Sequence, residues 1–392
     1  MGDEGALVIG AGAAGLATAA MLQQAGVKTV VLERSDRVGS SWLSRYDGLR
    51  LNTLRSMSQL PGYDCDRGYG AFPSARDWAA YLERYAEHHR LDVRLGVEVE
   101  RIDLESLEWV VRSSASELRA PAVVVATGYD HDPKLPDWDG LDGFTGELVH
   151  SSVYRNAERF RGRSVLVVGA GNSGLEIAAE LSPHGKVWLA MRTPPNLFPR
   201  RWLGVPTNPL GLVLDLLPTP LSDRAGFLGQ RVMTRAPLPL PADGVKTRLR
   251  RDRIGPSVDG GFVAALRAGR IEIVSPLASL DGAEVVLDDG RRLAPDVVIA
   301  ATGYRRGLES LVGHLGVLDE QGGPTAHGER TDPRAPGLYF VGFDALCSGQ
   351  LRLMARDARA VAKRIAYSRP SLPAIGRASA VRLPGTPRTR PA

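Results

Sequence analysis

Two stretches of this chain repeat one arrangement of apolar and polar positions. ALVIGAGAAG opens the first and VLVVGAGNSG the second: a short apolar run, a glycine turn, then a helical pattern. A continuous apolar run bounded by glycine reads as a strand buried on both faces of a parallel sheet. Positions 6–32 read as strand, turn, helix over 13–25, and strand over 28–32. Positions 164–192 repeat the unit, with SVLVV, a helix to about Leu181, Gly185 and KVWLA. Each unit reaches a second apolar run with the same ending, VVVATGY at 123–129 and VIAATGY at 298–304.

Between these, 74–90 has the spacing of an amphipathic helix with Ser74 as its N-cap. Strand pieces are expected near 93–102, 107–112, 271–274 and 283–287. Positions 336–364 read as a strand, LYFVGF, a loop, and a helix from about Gly349 with Leu353, Val361 and Ile365 on its apolar face. Alternating strands and helices predict an α/β fold with parallel sheets. The order implies an interrupted domain: a first unit over 1–150, a second over 151–303 inserted into it, and a return to the first over 304–367. Residues 203–241 are apolar and Pro-rich around LGLVLDLLP, either a lid or substrate-channel insertion or an extra packing helix. Residues 368–392 carry Pro, Ser and Ala without apolar period, and disorder is expected there.

Composition changes this picture little. The 392 residues suffice for two or three domains. Net charge is 49 − 44 = +5. Arg369, Arg377, Arg382, Arg388 and Arg390 in the tail account for it, so the body is near neutral and no nucleic-acid partner is expected. Two cysteines, Cys65 and Cys347, point to a reducing, cytoplasmic setting. No C-x-x-C is present, which argues against a disulfide reductase, and no metal site is expected. The start of the chain enters a strand with no basic or apolar leader pattern, and no run of about 18 apolar residues predicts a membrane span.

The glycine turns carry the chemistry. Gly10, Gly12 and Gly15 form one G-x-G-x-x-G, and Gly169, Gly171 and Gly174, around Asn172 and Ser173, form another. The first glycine allows the tight turn, the second lets backbone approach a pyrophosphate, and the third lets helix and strand pack closely. The helix N-terminus then faces the phosphates with partial positive charge. Eighteen positions after Gly15 stands Glu33, and eighteen after Gly174 stands Arg192. A carboxylate there accepts from a ribose 2′-hydroxyl, while an arginine tolerates a 2′-phosphate. The first site therefore suits FAD or NAD and the second NADP, which implies a flavoenzyme drawing electrons from NADPH. The bland alternative is two Gly-rich turns in an ordinary α/β protein. Ala126, Thr127 and Gly128, like Ala301, Thr302 and Gly303, are small enough for close approach to a dinucleotide, or simply end a buried strand in a turn. Gly342 and Phe343 lie where the chain returns to the first unit, and the helix arriving beside them would favour negative charge on a reduced flavin.

Between the fingerprints lies Phe144-x-Gly146-x-x-x-His150-x-x-x-Tyr154. With its order and spacing, this resembles the signature of the class B flavin-dependent monooxygenases, over nearly the whole chain to about residue 366. GNSG in the second fingerprint, the short length and IGPSVDGGFVAALRAGRIEIV at 254–274 look most like the YUCCA-type members and their bacterial relatives. Baeyer–Villiger monooxygenases fit less well, since their signature ends in Trp where Tyr154 stands. Gly39-Ser-Ser-Trp42 and LRLNT at 49–53 match the segment lining the flavin, with Ser40 replacing a family glycine.

The resemblance implies two Rossmann-like domains, the NADP domain inserted into the FAD domain, and an enzyme that forms a C4a-(hydro)peroxyflavin. One oxygen atom then enters a small organic substrate, by N- or S-oxygenation or by YUCCA-like oxidative decarboxylation of an α-keto acid. It places Asn52 beside the flavin, as a neutral amide that supplies no discharging proton; a turn-capping role is the alternative. It makes His150 a hinge or interdomain contact, or else merely exposed. Arg192 and Thr193 would hold the 2′-phosphate, with Arg200 and Arg201 either helping or forming a solvated pair. Loops near 42–63, 200–241 and 346–353 would build the pocket. Three other readings remain: a Baeyer–Villiger enzyme, a flavin reductase or oxidase without oxygenation, and a non-catalytic NADP sensor. A homodimer is left open.

Overall fold

A computed structural model describes residues 4–368; beyond Ser368, the tail for which disorder is expected lies outside the described residues. Strand β1 (Ala6–Ile9) runs through the first glycine turn into α1 (Ala13–Gln24), which returns the chain to β2 (Thr29–Glu33). Helix α2 (Ala75–His88) begins with a reciprocal cap between Ser74 and Asp77, and β3 (Asp92–Leu95) and β4 (Val123–Val125) follow. Strand β5 (Glu147–His150) precedes the second copy of the unit: β6 (Val165–Val168), α3 (Asn172–Leu181) and β7 (Val187–Ala190). After a two-residue-strand hairpin at 201–206 come α4 (Leu210–Leu216), α5 (Thr219–Met233) and α6 (Val245–Asp252). Strands β8 (Ile271–Val274), β9 (Val297–Ala300) and β10 (Leu338–Phe340) and the long α7 (Gln350–Ser368) complete the path.

Two five-stranded parallel sheets result, ordered β10-β4-β1-β2-β3 and β8-β7-β6-β9-β5. In each, the strand that feeds the glycine turn is central, the next strand and the one paired beyond it lie on one side, and the other two lie on the opposite side. That reversal is a topological switch point, where an open α/β sheet leaves a crevice at its strand ends. Side-chain alternation explains the layers. Ala6 and Val8 face α1 and α7, while Leu7 and Ile9 face an antiparallel sheet that contributes Ile102, Trp109 and Val111. The second unit repeats this: Val165 and Val167 meet α3 residues, and Leu166 meets Leu277, Leu280 and Val285 of another small antiparallel sheet. Helix α1 is buried from Ala13 through Leu22, as expected of a helix that is apolar all round.

Three local expectations change. The strand piece at 93–102 divides, because Gly96 sits at φ +70° and turns the chain out of the parallel sheet into the hairpin Val99–Glu105. Strand β5 pairs with β9, so the second sheet takes its edge strand from residues before 151. The 203–241 stretch forms two helices, with many apolar side chains on the outside.

Candidate functional site: two dinucleotide cradles and their seam

Both glycine turns have the same geometry for the same reason. Gly10 lies at φ +102° and Gly169 at φ +114°, in the region closed to most side chains. A Cβ on Gly10 would lie 2.7 Å from the Ala126 carbonyl oxygen, and one on Gly169 would lie 2.4 Å from that of Ala301. A Cβ on Gly15 or Gly174 would lie 1.9 Å from the carbonyl oxygen of Gly10 or Gly169, so only glycine lets each helix seat on its turn. Gly12 and Gly171 differ from these: a Cβ there meets nothing within 4 Å. The space in front of both is open, which is what a pyrophosphate requires.

The residues closing the two cradles behave differently. The Glu33 carboxylate accepts from the Ala11 amide at 2.7 Å and from the Ser35 amide at 2.9 Å. Arg192 and Thr193 are exposed just past β7, and Arg192 has no ion-pair or hydrogen-bond partner among the described residues. In the first ATGY segment Ala126 is buried, Gly128 has φ +83°, and the Thr127 hydroxyl is buried without a partner among the described residues. In the second, Gly303 also has φ +83°, and Thr302 donates to the Lys134 carbonyl. The two segments then run side by side, with Tyr304 paired to Pro133 in a short antiparallel ribbon.

The remaining expected residues take varied places. Gly39 has φ +69° and caps the short helix Ser40–Leu43, whose Trp42 packs edge-on against Trp78 at 6.2 Å. Asn172 accepts from the Val258 amide at 2.9 Å, and Ser173 is half-buried beside it. Gly342, at φ +93°, fits against Ala14 and Met354. The Phe343 ring is wholly inside the core against Phe340, so its side chain is a packing element.

His150 is buried, and its tautomer follows from its partners. Nδ1 accepts from the Ser152 amide at 3.1 Å, so Nε2 carries the proton and donates to the Gly303 carbonyl at 3.0 Å. Burial lowers its pKa below the usual imidazole value, which keeps it neutral. The rest of that signature is also structural. Phe144 packs on the second unit's core, and Tyr154 is buried there, stacked on Phe160 at 5.6 Å.

Asn52 stands at the seam between the units. Arg200 donates to Asn52 Oδ1 at 3.2 Å and to Glu176 of α3 at 3.1 Å. Tyr46 donates to the other Glu176 oxygen. Burial raises the Glu176 pKa, opposed by hydrogen bonds from Tyr46 and Arg200, and burial with the adjacent carboxylate holds Tyr46 as a phenol. The Arg200 Nε–H is buried and has no acceptor among the described residues, and the guanidinium lies over the Phe72 ring. Arg201 stays exposed. Beside the seam, Arg45 ties the ends of the two ATGY segments together, donating to the Tyr304 hydroxyl at 2.9 Å and to Asp130 at 2.6 Å. Tyr46, Glu176, Arg45 and Asp130 were not legible as site residues, because their partners lie 85 to 259 positions away.

Both cysteines are free and buried. Burial pushes the Cys65 thiol up to about 11 and Cys347 up to about 12, so neither is a ready thiolate.

Two dinucleotide cradles on doubly wound sheets define the two-domain flavoprotein oxidoreductases. A family model described as pyridine nucleotide-disulphide oxidoreductase matches residues 7–196. The chain is 35% identical over 362 residues to the indole-3-pyruvate monooxygenase YUCCA1 of Oryza sativa subsp. japonica, covering 86% of each. It is 34% identical to the probable indole-3-pyruvate monooxygenase YUCCA1 of Arabidopsis thaliana, covering 86% of this chain and 84% of that one. Among solved structures, a flavin-containing monooxygenase from Stenotrophomonas maltophilia superposes with a TM-score of 0.73 at 23% identity, over 94% of this chain and 99% of that one. OTEMO in complex with FAD and NADP superposes with a TM-score of 0.68 at 17% identity, over 93% of this chain and 84% of that one.

The chain belongs to the class B flavin-dependent monooxygenases, the family of the YUCCA enzymes. It is an oxidoreductase with FAD and NADP(H) as cofactors. Among the described residues no helix is long and apolar enough to cross a membrane.

Proposed function

We propose that the first cradle holds FAD, with Glu33 on the ribose, and the second NADPH, with Arg192 and Thr193 on the 2′-phosphate. The open space before Gly12 and Gly171 and the unpartnered Thr127 hydroxyl support this. When bound, the flavin takes a hydride from NADPH and, with O₂, supplies one oxygen atom for transfer.

The protein's share is orientation and exclusion of water. A guanidinium only donates, so Arg200 fixes which end of the Asn52 amide it faces. Nδ2 is then left as a donor with no partner among the described residues, and a neutral amide donates a hydrogen bond without giving up a proton. His150, neutral and engaged at both nitrogens, positions the second ATGY turn and is not an acid or base.

The substrate is an α-keto acid, oxidised with loss of CO₂. One oxygen atom enters, giving a carboxylic acid one carbon shorter, CO₂, NADP⁺ and water. The observation carrying this reading is the Arg200 Nε–H beside Asn52, buried and without an acceptor among the described residues; Glu176 already balances the guanidinium charge, so what this place lacks is one hydrogen-bond acceptor, which an oxygen of the keto acid would supply. The YUCCA relatives are named for indole-3-pyruvate, an acid of this kind. Two buried, unpaired cysteines fit a cytoplasmic setting.

The test supplies indole-3-pyruvate, a tertiary amine and a thioether in turn, and measures product, CO₂ and hydrogen peroxide per NADPH. Stoichiometric CO₂ from the keto acid is expected. Oxygenation of the amine or thioether, with only peroxide formed alongside the keto acid, would overturn the substrate class. Peroxide alone with all three would favour an oxidase.

A further inference from the structure

Helix α5 is turned inside out. Its buried residues are Ser222, Gly226 and Gln230. Gln230 is satisfied there, accepting from the Leu197 amide and donating to the Pro195 carbonyl, and Gly226 lets Val245 pack close. Its exposed stripe is Leu221, Leu228 and Val232, at i, i+7 and i+11, with Leu228 65% exposed. A helix that folds against the protein should show the reverse. The neighbouring elements share the trait. Leu216 of α4 is 87% exposed. At the tip of the 201–206 hairpin Leu203 is 83% exposed and sits at φ +49°, a left-handed conformation costly for a bulky residue. Trp202 and Val205 flank it, also exposed. Burial elsewhere in the fold does not require apolar residues at these places.

Charge on the same segment is one-sided. Arg201, Arg224, Arg231 and Arg235 are exposed, and none has a carboxylate partner among the described residues. Both acids of 201–235 are turned inward. Asp215 accepts from the Cys347 and Ser348 amides, and Asp223 accepts from Lys246 and Thr247.

We propose that the face formed by this hairpin, α4 and α5 docks on a membrane surface carrying anionic lipids. Apolar side chains would enter the headgroup boundary, and the arginines would keep their cationic ends at the phosphates. The other occupants fit the charge poorly. The tail beyond Ser368 has five arginines and no acid, so it repels this face. A second copy would bring like charges together. The docking face is independent of the substrate reading above.

The test sediments the full-length, flavin-loaded protein with vesicles of phosphatidylcholine alone and of phosphatidylcholine with phosphatidylglycerol. Binding to the mixed vesicles is expected, falling steeply with salt. Leu203→Glu and Leu228→Glu should each weaken it about ten-fold, and Arg224→Ala and Arg231→Ala each about five-fold. The flavin absorbance and melting temperature should stay as in the parent, since these side chains hold nothing in the fold. No sedimentation with either vesicle would overturn the proposal. So would binding unchanged in the two Leu→Glu variants, which would assign it to the tail. A dimer in light scattering that those variants abolish would assign the face to a second copy.

Discussion

The two cradles share a backbone and differ in how the residue proposed to anchor each nucleotide is held. Gly10 and Gly169, Gly15 and Gly174, make the same close contacts, and Gly12 and Gly171 leave the same opening. Yet Glu33 is fixed by two backbone amides, while Arg192 is exposed and has no partner among the described residues. A fixed anchor is pre-organised and loses little entropy on binding; a loose one must be ordered each time. The difference suits a group that stays and a group that leaves after every turnover.

The sharpest way to break this comparison is to fill each turn. Gly15→Ala and Gly174→Ala both drive a methyl into a carbonyl 1.9 Å away, beyond the usual overpacking cost of about 1–3 kcal/mol. Gly15→Ala should purify without its yellow flavin absorbance. Gly174→Ala should stay yellow but be reduced by NADPH at least ~100-fold more slowly. If both lose flavin equally, the cradles are not separable. Next in size, Arg192→Ala removes charged hydrogen bonds worth about 1.5–3 kcal/mol. The KM for NADPH should rise about 10–100-fold in steady-state assays while that for NADH barely moves.

Smaller effects belong to the seam. Glu176→Gln leaves the Arg200 charge without its counter-ion, and should lower Tm by about 2–4 °C and raise peroxide release per NADPH. Intact coupling in this variant would show that the seam does not position Asn52. Smallest is the pH effect of His150. Its folded pKa is depressed by burial, so the unfolded chain takes up a proton first as pH falls. Its contribution is complete above the unfolded value of about 6.5 and is lost as pH drops from there through the folded value. A Tm–pH profile of His150→Gln should be flatter over that window than the parent's.

The cradles were legible because their requirements are local. A glycine at a positive φ, a glycine under a helix and a strand before both leave marks within six residues. Ser74 announced its helix in the same way, through a cap whose two ends stand three positions apart. The seam left no such mark. Asn52 meets Arg200 across 148 positions and Tyr46 meets Glu176 across 130, so only the folded chain brings them together. Nothing in the helix sequence sets Glu176 apart from its polar neighbours, although its side chain is only 11% exposed. The reversed polarity of α5 was half visible as apolar texture at 203–241, but only burial shows which side faces out.

That insertion also closes a mechanical loop. Asn208 accepts from the Leu54 amide and donates to the Ser348 carbonyl, and Asp215 holds the 347–348 amides, all in the first unit. A few residues later Gln230 grips Pro195 and Leu197, and Arg267 reaches the carbonyls of Thr234 and Arg235, all in the second. Lys246 clamps the joint between these halves through the carbonyls of Leu214, Asp215 and Leu217. The two units therefore work like a door bolted on both edges. Any swing between them would have to break the contacts of Asp215 and Asn208 together with the Arg200 and Tyr46 bonds of the seam, so the insertion and the seam hold the same joint from two sides.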